Sequence, residues 1–389
     1  MALVSKAFGD IITFTRASSA TFTGSNGLIQ SATTNTPRFD YDPVTLAAKG
    51  LLIEEQRTNL LLYSSDFGNA VWTKANITVT PNSTTAPDGT TSATTFAATT
   101  TSSAISYQDA IATSTTLVYT IYVKQNTGPT DANTFAVYNN TTVTNLSILT
   151  VNYSTGVVTH SLGSGATTTN VGNGWWRLSV PISSGVTVGN SVRIYPCFIG
   201  NAETAGESAF IWGAQLEAGA FATSYIPTVA SQVTRSADVA SVNTLSPWYN
   251  ATEGTLYVEA TPYGVLPDTR IATLDDGTSL NRHLIWGTLG SSSTRYEVIT
   301  GGVTQVGLTV NGTFVANTTT KAAAAYKVND FAFSVNGGAA LTDTVGTLPS
   351  VTALRIGGSA GAPLFNGSIR RITYYPRRLS NAELQAITA

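Results

Sequence analysis

Apolar and polar residues alternate at a period of two along most of this chain, a pattern that fits short half-buried β-strands and not amphipathic helices. In LVYTIYVK (117–124), Leu117, Tyr119, Ile121 and Val123 fall on one face. WWRLSVP (175–181), AFIWGAQLE (209–217), GTLYVEA (254–260), TQVGLTV (304–310) and DFAFSV (330–335) repeat the pattern. Between such segments stand Asn-Gly pairs at 26, 173, 311, 336 and 366 and Asp-Gly pairs at 88 and 276. Asn, Asp and Gly tolerate the positive backbone angle of tight turns, so these pairs predict hairpins. The sequence therefore predicts an all-β fold: an extended N-terminal arm, two antiparallel β-sandwich (jelly-roll) domains and one short C-terminal helix. That helix is signalled by SNAELQAI, where Ser380 and Glu383 are spaced as a capping box. The run Ala322 to Ala325 is too short to stand alone as a helix and is flanked by strand patterns.

With 389 residues, two cores are expected rather than one. Composition shifts place an arm or small β subdomain at 1–57, one sandwich at 58–228, a linker at 229–245 and a second sandwich at 246–389. TFTRASSAT (13–21) and QVTRSADVA (232–240) share a Thr-Arg core, which hints that both lead into a domain in the same way. Only 11% of residues are charged and the net charge is -2, with no basic run, so no nucleic-acid partner or anionic membrane surface is indicated. No apolar run of about 18 residues predicts membrane insertion, no secretory leader is evident at the start, and the single Cys197 cannot form an intrachain disulfide.

Glu54 and Glu55 raise the question of a catalytic carboxylate pair. Neighbours on a strand point to opposite faces, whereas a glycosidase needs two converging carboxyls about 5 to 9.5 Å apart. A structural, ion-paired role with Arg57 is the expectation instead. His160, His283 and Cys197 are the only strong nitrogen or sulfur ligands, which leaves no ordinary zinc site, and both histidines are expected on the surface or in loops. No nucleophile elbow, HExxH motif or phosphate-binding glycine loop occurs. Sugar recognition would rest on aromatic faces. Trp212 is expected in the core on one face with Phe210, Ala214 and Leu216, and one of Trp175 and Trp176 is expected outside it. Trp72, Trp175, Trp248 and Trp286 are the ligand candidates.

Three long motifs in order, TFTRASSATFTGSNGLIQSATTNTPRFDYDPVT (13–45), KGLLIEEQRTNLLLYSSDF (49–67) and IWGAQLEAGAFATSYIPT (211–228), resemble those of tailed-bacteriophage and prophage structural proteins of the tail-fibre or decoration type. The block 58–228 resembles their carbohydrate-binding-module-like jelly roll. LRIGGSAGAPLFNGSIRRITYYPRRLSNAELQAI (354–387) resembles concanavalin A-like and laminin G-like sandwiches. The resemblance implies a non-enzymatic virion protein, a tail fibre or receptor-binding component that binds host surface polysaccharide or lipopolysaccharide. It also implies contacts to other virion proteins through residues 1–57, a homo-oligomer such as a trimer, and assembly in the host cytoplasm before release by lysis. Laminin G-like sandwiches often bind calcium, which makes Asp275 and Asp276 in LDDGT the candidate ligands; a plain hairpin turn is the simpler reading. The alternatives are a capsid decoration or head-fibre protein with the same domains, a sandwich that only stiffens a fibre, and a glycan-degrading enzyme.

Overall fold

The alternating segments form strands that pair into two sandwiches, one inserted in the other. The computed structural model describes residues 7–101, 104–128, 134–199, 205–264, 267–288, 291–359, 362–363 and 365–389, of which 197–199 and 362–363 are described in backbone only. The inserted sandwich has two six-stranded antiparallel sheets. One runs Val158–Leu162, Thr144–Val151, Thr134–Asn139, Ser191–Ile199, Ala104–Ile111, Thr73–Ala75. The other runs Thr167–Asn170, Trp176–Ile182, Leu117–Thr127, Ser208–Ala218, Ala93–Ala98, Ile77–Thr84. Leu117, Tyr119, Ile121 and Val123 all point into the core between them, where they meet Val137, Leu149 and Ile194 of the facing sheet. Each such aliphatic side chain contributes roughly 1.5–3 kcal/mol on burial.

The second sandwich has two seven-stranded sheets, and both recruit strands from the start of the chain. Thr13–Thr15 pairs with Val239–Val242 at one edge, and Ala48–Ile53 pairs with Gly367–Tyr375 in the facing sheet, with Phe39–Tyr41 outside it. Phe14, Leu51 and Ile53 accordingly sit in the same core as Val258, Ile285 and Leu354. The segment 1–57, expected as an arm or small β subdomain, gives three of its strands to this sandwich and forms a separate hairpin of Ala20–Thr23 with Ile29–Ala32. Part of the expected linker 229–245 is likewise strand. Long-range pairings such as Thr13 with Ser241 are invisible to local periodicity, which registers a strand but not its partner.

The chain leaves and re-enters this sandwich through a two-stranded neck, Arg57–Asn59 against Val233–Arg235. Asn59 is fully buried there. Its amide donates to the carbonyls of Ala214 and Ile226, and its oxygen accepts from the N–H groups of Leu61 and Leu216, which satisfies the side chain on both ends. Next to the neck, Gly219 has φ +129°, a conformation that side-chain-bearing residues rarely adopt, and a Cβ there would displace the Arg57 guanidinium.

Local expectations fared unevenly. The C-terminal helix Asn381–Thr388 has its capping box of Ser380 and Glu383, and Ala322 to Ala325 lie in the strand Thr320–Lys327. Asn173-Gly174 and Asn336-Gly337 have positive φ at both residues, as tight hairpins demand. Asn366-Gly367 is a correction, because Gly367 opens a strand; a Cβ there would lie 2.2 Å from the Thr261 carbonyl oxygen, so the glycine serves close backbone approach. Trp212 is another. Gly213 (φ +64°) sits at a bulge that shifts the strand's phase, so Ile211, Ala214 and Leu216 face the main core while Trp212 joins Tyr122, Trp175 and Tyr225 behind the sheet. Trp176, the other member of the tryptophan pair, is half-buried against the main core. Among the described residues no helix is long and apolar enough to cross a membrane.

Neither histidine lies in a loop. His160 belongs to the strand Val158–Leu162, and His283 is buried in the second core, 3.0 Å from the Tyr296 hydroxyl through Nδ1 and 4.5 Å from the Tyr326 ring centroid. Burial pushes the His283 imidazole down to about 3. Because the folded value lies below the unfolded one, the unfolded chain takes up the proton first. The stability due to neutral His283 is then complete above about pH 6.5 and is lost as pH falls towards about 3, at up to about 1.4 kcal/mol per pH unit. Thermal melts of His283→Gln should show a flatter decline between pH 6.5 and 4 than wild type; parallel declines would contradict this placement.

Candidate functional site

Glu54 and Glu55 diverge as strand geometry requires. Glu55 pairs with Arg57, half-exposed at the neck. Glu54 points into a buried ion cluster that unites residues from both ends of the insertion. Its Oε2 accepts from Arg38 Nη1 at 2.6 Å and lies 3.0 Å from Arg235 Nη1, and its two oxygens accept the Ser224 N–H and hydroxyl, each at 2.6 Å. Asp238 takes Arg38 Nη2 and the Glu54 N–H on Oδ2, and Arg16 Nη1 on Oδ1 at 3.1 Å. Arg235 also donates to Thr223 Oγ1, whose hydroxyl donates to Glu217. Three guanidiniums thus face two buried carboxylates, Glu54 and Asp238, with Glu217 joined through Thr223. The two Thr-Arg motifs deliver Arg16 and Arg235 to the same cluster, and the Ser236 N–H donates to Ser18 Oγ at 2.9 Å.

Burial alone would raise the Glu54 carboxyl, but Arg235 and Arg38, with the two Ser224 bonds, hold it down to about 2. A carboxylate this acidic with both oxygens engaged is a poor proton donor, and as an anion it is already committed. Its chemistry is structural.

The tryptophan candidates lie mostly inside. Trp72 (1% exposed) donates its Nε1–H to the Tyr63 carbonyl and packs 4.9 Å from Phe67. Trp175 (2% exposed) donates to the Thr85 carbonyl. Both are corrections to their reading as ligand contacts: indoles near turns are large enough to roof a core. Trp248 is half-buried, 5.1 Å from Tyr374, at the rim of the second core. Trp286 is half-buried on an outer sheet face, with the Arg295 guanidinium 4.6 Å above its ring. The Asp275 carboxylate is buried, accepting from the Gly277 N–H and from Arg355 at 3.3 Å. That of Asp276 accepts from Thr278 and Asn281. These contacts build a turn, and among the described residues no group of three or more His, Cys, Asp and Glu side chains converges for a metal.

What the sequence reading missed is a tyrosine platform on the outer face of the inserted sandwich. Asp109, Arg193 and Tyr138 lie opposite one another on three adjacent strands. Arg193 grips Asp109 with two bonds, Nε to Oδ1 at 2.7 Å and Nη2 to Oδ2 at 2.9 Å. Its guanidinium lies 3.9 Å from the Tyr107 ring centroid, and Tyr107 and Tyr195 meet at 5.6 Å with planes tilted by 54°. The bond to Asp109, aided by Tyr195, pushes the Arg193 guanidinium up. A bidentate pair and a cation over an aromatic face hold these side chains in place, Asp109 exposed and the others half-exposed. The signal was present as Tyr107 with Asp109 and Arg193 with Tyr195 at alternate positions, but nothing local shows that their two strands lie side by side. A second concavity, a cleft of about 350 Å³, lies at the seam between the sandwiches.

No protein-family model matches the chain, and no curated protein matches it by sequence. Among solved structures it is similar to the CBM40 of the Ruminococcus gnavus IT-sialidase bound to α2,3-sialyllactose, at 18% identity and a TM-score of 0.32 over 36% of this chain and 84% of that one. It is also similar to the SAP-like pentraxin of Limulus polyphemus, at 9% identity and 0.30 over 36% and 70%. Mouse laminin α1 domains LG4-5 match at 9% identity and 0.27 over 85% and 93%.

Replacing Glu54 by Ala would strand Arg38 and Arg235 in a buried site, a loss expected to cost about 3–5 kcal/mol. Glu55→Ala should cost about 1 kcal/mol or less, as for ion pairs near solvent. Urea midpoints of the two variants measure the contrast, and equal losses would contradict the assignment.

Proposed function

We propose that this chain is a non-enzymatic glycan-binding protein of a virion appendage, with the tyrosine platform of the inserted sandwich as its contact face. The observation that carries the binding reading is the platform itself: two tyrosine rings, a third tyrosine and an Arg193–Asp109 pair on one sheet face, all at least half-exposed. A pyranose offers an apolar face for stacking and a rim of hydroxyls for hydrogen bonding. Arg193 covers one face of Tyr107, so stacking falls to Tyr195, with Asp109 and Arg193 at hand for hydroxyls. The engaged state of Glu54 favours binding over hydrolysis.

The virion assignment rests on the sequence motifs at 13–45, 49–67 and 211–228, and it takes the tail-fibre location over the capsid one. In this reading residues 1–57 contact other virion proteins through the outer side of their edge strands. Copies assemble as a homo-oligomer, which multiplies weak single-site affinity by avidity. Host surface polysaccharide or lipopolysaccharide is the partner.

Calorimetric titration with host surface polysaccharide tests the platform. Tyr195→Ala should weaken binding about tenfold, the equivalent of one lost stacking contact. Tyr195→Phe should retain most of the affinity, and far-ultraviolet circular dichroism should be unchanged in both. Affinity indifferent to Tyr195→Ala would overturn the assignment, and release of new reducing ends would overturn the non-enzymatic reading.

A further inference from the structure

The seam between the sandwiches holds a cleft of about 350 Å³, at the low end of the volumes of small-molecule sites, which favour domain interfaces. Three parts of the chain wall it: Asp40 and Lys49 from the N-terminal strands, Thr169 and Arg177 from the inserted sandwich with Phe221 from the loop after it, and Tyr263 from the second sandwich. Its geometry exists only when both sandwiches are docked.

Asp40 defines its chemistry. The residue is 7% exposed and lines the cleft, yet it has no ion pair among the described residues. Oδ1 accepts the Thr23 N–H at 2.8 Å, and Oδ2 accepts the Tyr263 hydroxyl at 3.3 Å. A carboxylate has about four acceptor positions, so about half remain for donors. Burial raises the Asp40 carboxyl, partly offset by the Thr23 bond and by Lys49.

The cations around it are only partly committed. Arg177 Nη2 donates to the Thr223 carbonyl at 2.5 Å, and its guanidinium lies 5.5 Å from the Tyr122 ring centroid. Lys49 lies 3.7 Å from Asp42 and 5.7 Å from the Tyr263 ring centroid. Arg177 Nε is buried without a hydrogen-bond partner among the described residues and Lys49 is held by charge alone, so donors stand beside the acceptor capacity of Asp40, which suits hydroxyls, since each both donates and accepts. Two aromatic side chains flank it. Phe221 has Arg57 at 5.0 Å and lies so close to Gly264 that a Cβ there would fall 2.1 Å from its Cγ, so the ring has a fixed seat. Hydroxyl-bearing Thr169 stands exposed on the strand Thr167–Asn170 at the cleft's rim.

From this combination we infer that the seam cleft is a second binding site, which takes a neutral hydroxyl-rich ligand of one or two sugar units, with hydroxyls donating to Asp40 and an apolar face against Phe221 or Tyr263. The site is independent of the tyrosine platform. Because its walls belong to both sandwiches, a ligand bound there clamps them together and stabilises the folded chain by mass action.

Saturation-transfer NMR and thermal melts of the full chain, with glucose, galactose, N-acetylglucosamine, mannose and their β-linked disaccharides as probes, test this. At least one probe is expected to bind wild type and raise its Tm. Asp40→Asn, which keeps the shape but removes acceptor capacity, should weaken that binding tenfold or more. Thr169→Trp, which fills the rim from an exposed position, should abolish it, and Tyr195→Ala should leave it intact. Absence of binding by every probe would overturn the site, as would unchanged binding in both Asp40→Asn and Thr169→Trp. Loss of all binding in Tyr195→Ala would overturn the cleft while leaving the platform standing.

Discussion

Everything in this molecule is hung on five buried charged side chains, Arg16, Arg38, Glu54, Arg235 and Asp238, drawn from four stretches of chain. Burying such groups is expensive, and Coulomb attraction offsets that cost only when every partner is in place. A register error of one residue in the strand Ala48–Ile53 or the neck would turn Glu54 or Arg235 away and leave opposite charges unpaired. The cluster thus selects one arrangement of strands at the point where the chain passes from one sandwich to the other. Stability comes mainly from the two apolar cores; uniqueness comes from the ions.

The nesting that the cluster fixes has consequences for function. The two sandwiches meet along a seam whose walls are held by the same side chains that hold the neck, since Glu54, Thr223 and Ser224 also line the cleft. On the outer face of one six-stranded sheet of the inserted sandwich, Arg193 locks Asp109 and Tyr107 into a fixed pattern. Rigid scaffold beneath, half-exposed aromatic and charged groups above, is the arrangement that recognition of a polar, ring-shaped ligand requires.

Much of the fold could be read from the sequence because it is written locally. Alternation in 117–124 marked a core face correctly, and Ser380 with Glu383 marked a helix start, since a cap involves residues only three apart. Pairing was not legible. Nothing local tells Thr13 to seek Ser241 or Ile53 to seek Gly367, so the N-terminal strands read as an arm. A bulge defeated the period-two rule at Gly213, which turned Trp212 away from Ala214, and the tyrosine platform stayed hidden because nothing local pairs Asp109 with Arg193. Tryptophan is the usual marker of sugar stacking, yet its size also makes it the best roof for a core, and Trp72 and Trp175 serve that purpose. The acid pair Glu54 and Glu55 was separable by strand geometry alone, but the partners of Glu54, from Arg38 to Arg235, emerge only in three dimensions.

The central claim is that the ion cluster holds the two sandwiches as one cooperative body, and native-state hydrogen exchange at the neck tests it most directly. The Glu54 N–H is bonded to Asp238 Oδ2 and the Asp238 N–H to the Glu54 carbonyl, so both report on the cluster itself. The account predicts that these two amides exchange only with global unfolding, with the same free energy and denaturant dependence as core amides of Ile121 and Val258. Exchange of the Glu54 and Asp238 amides through a lower-energy opening, while both cores stay protected, would contradict it.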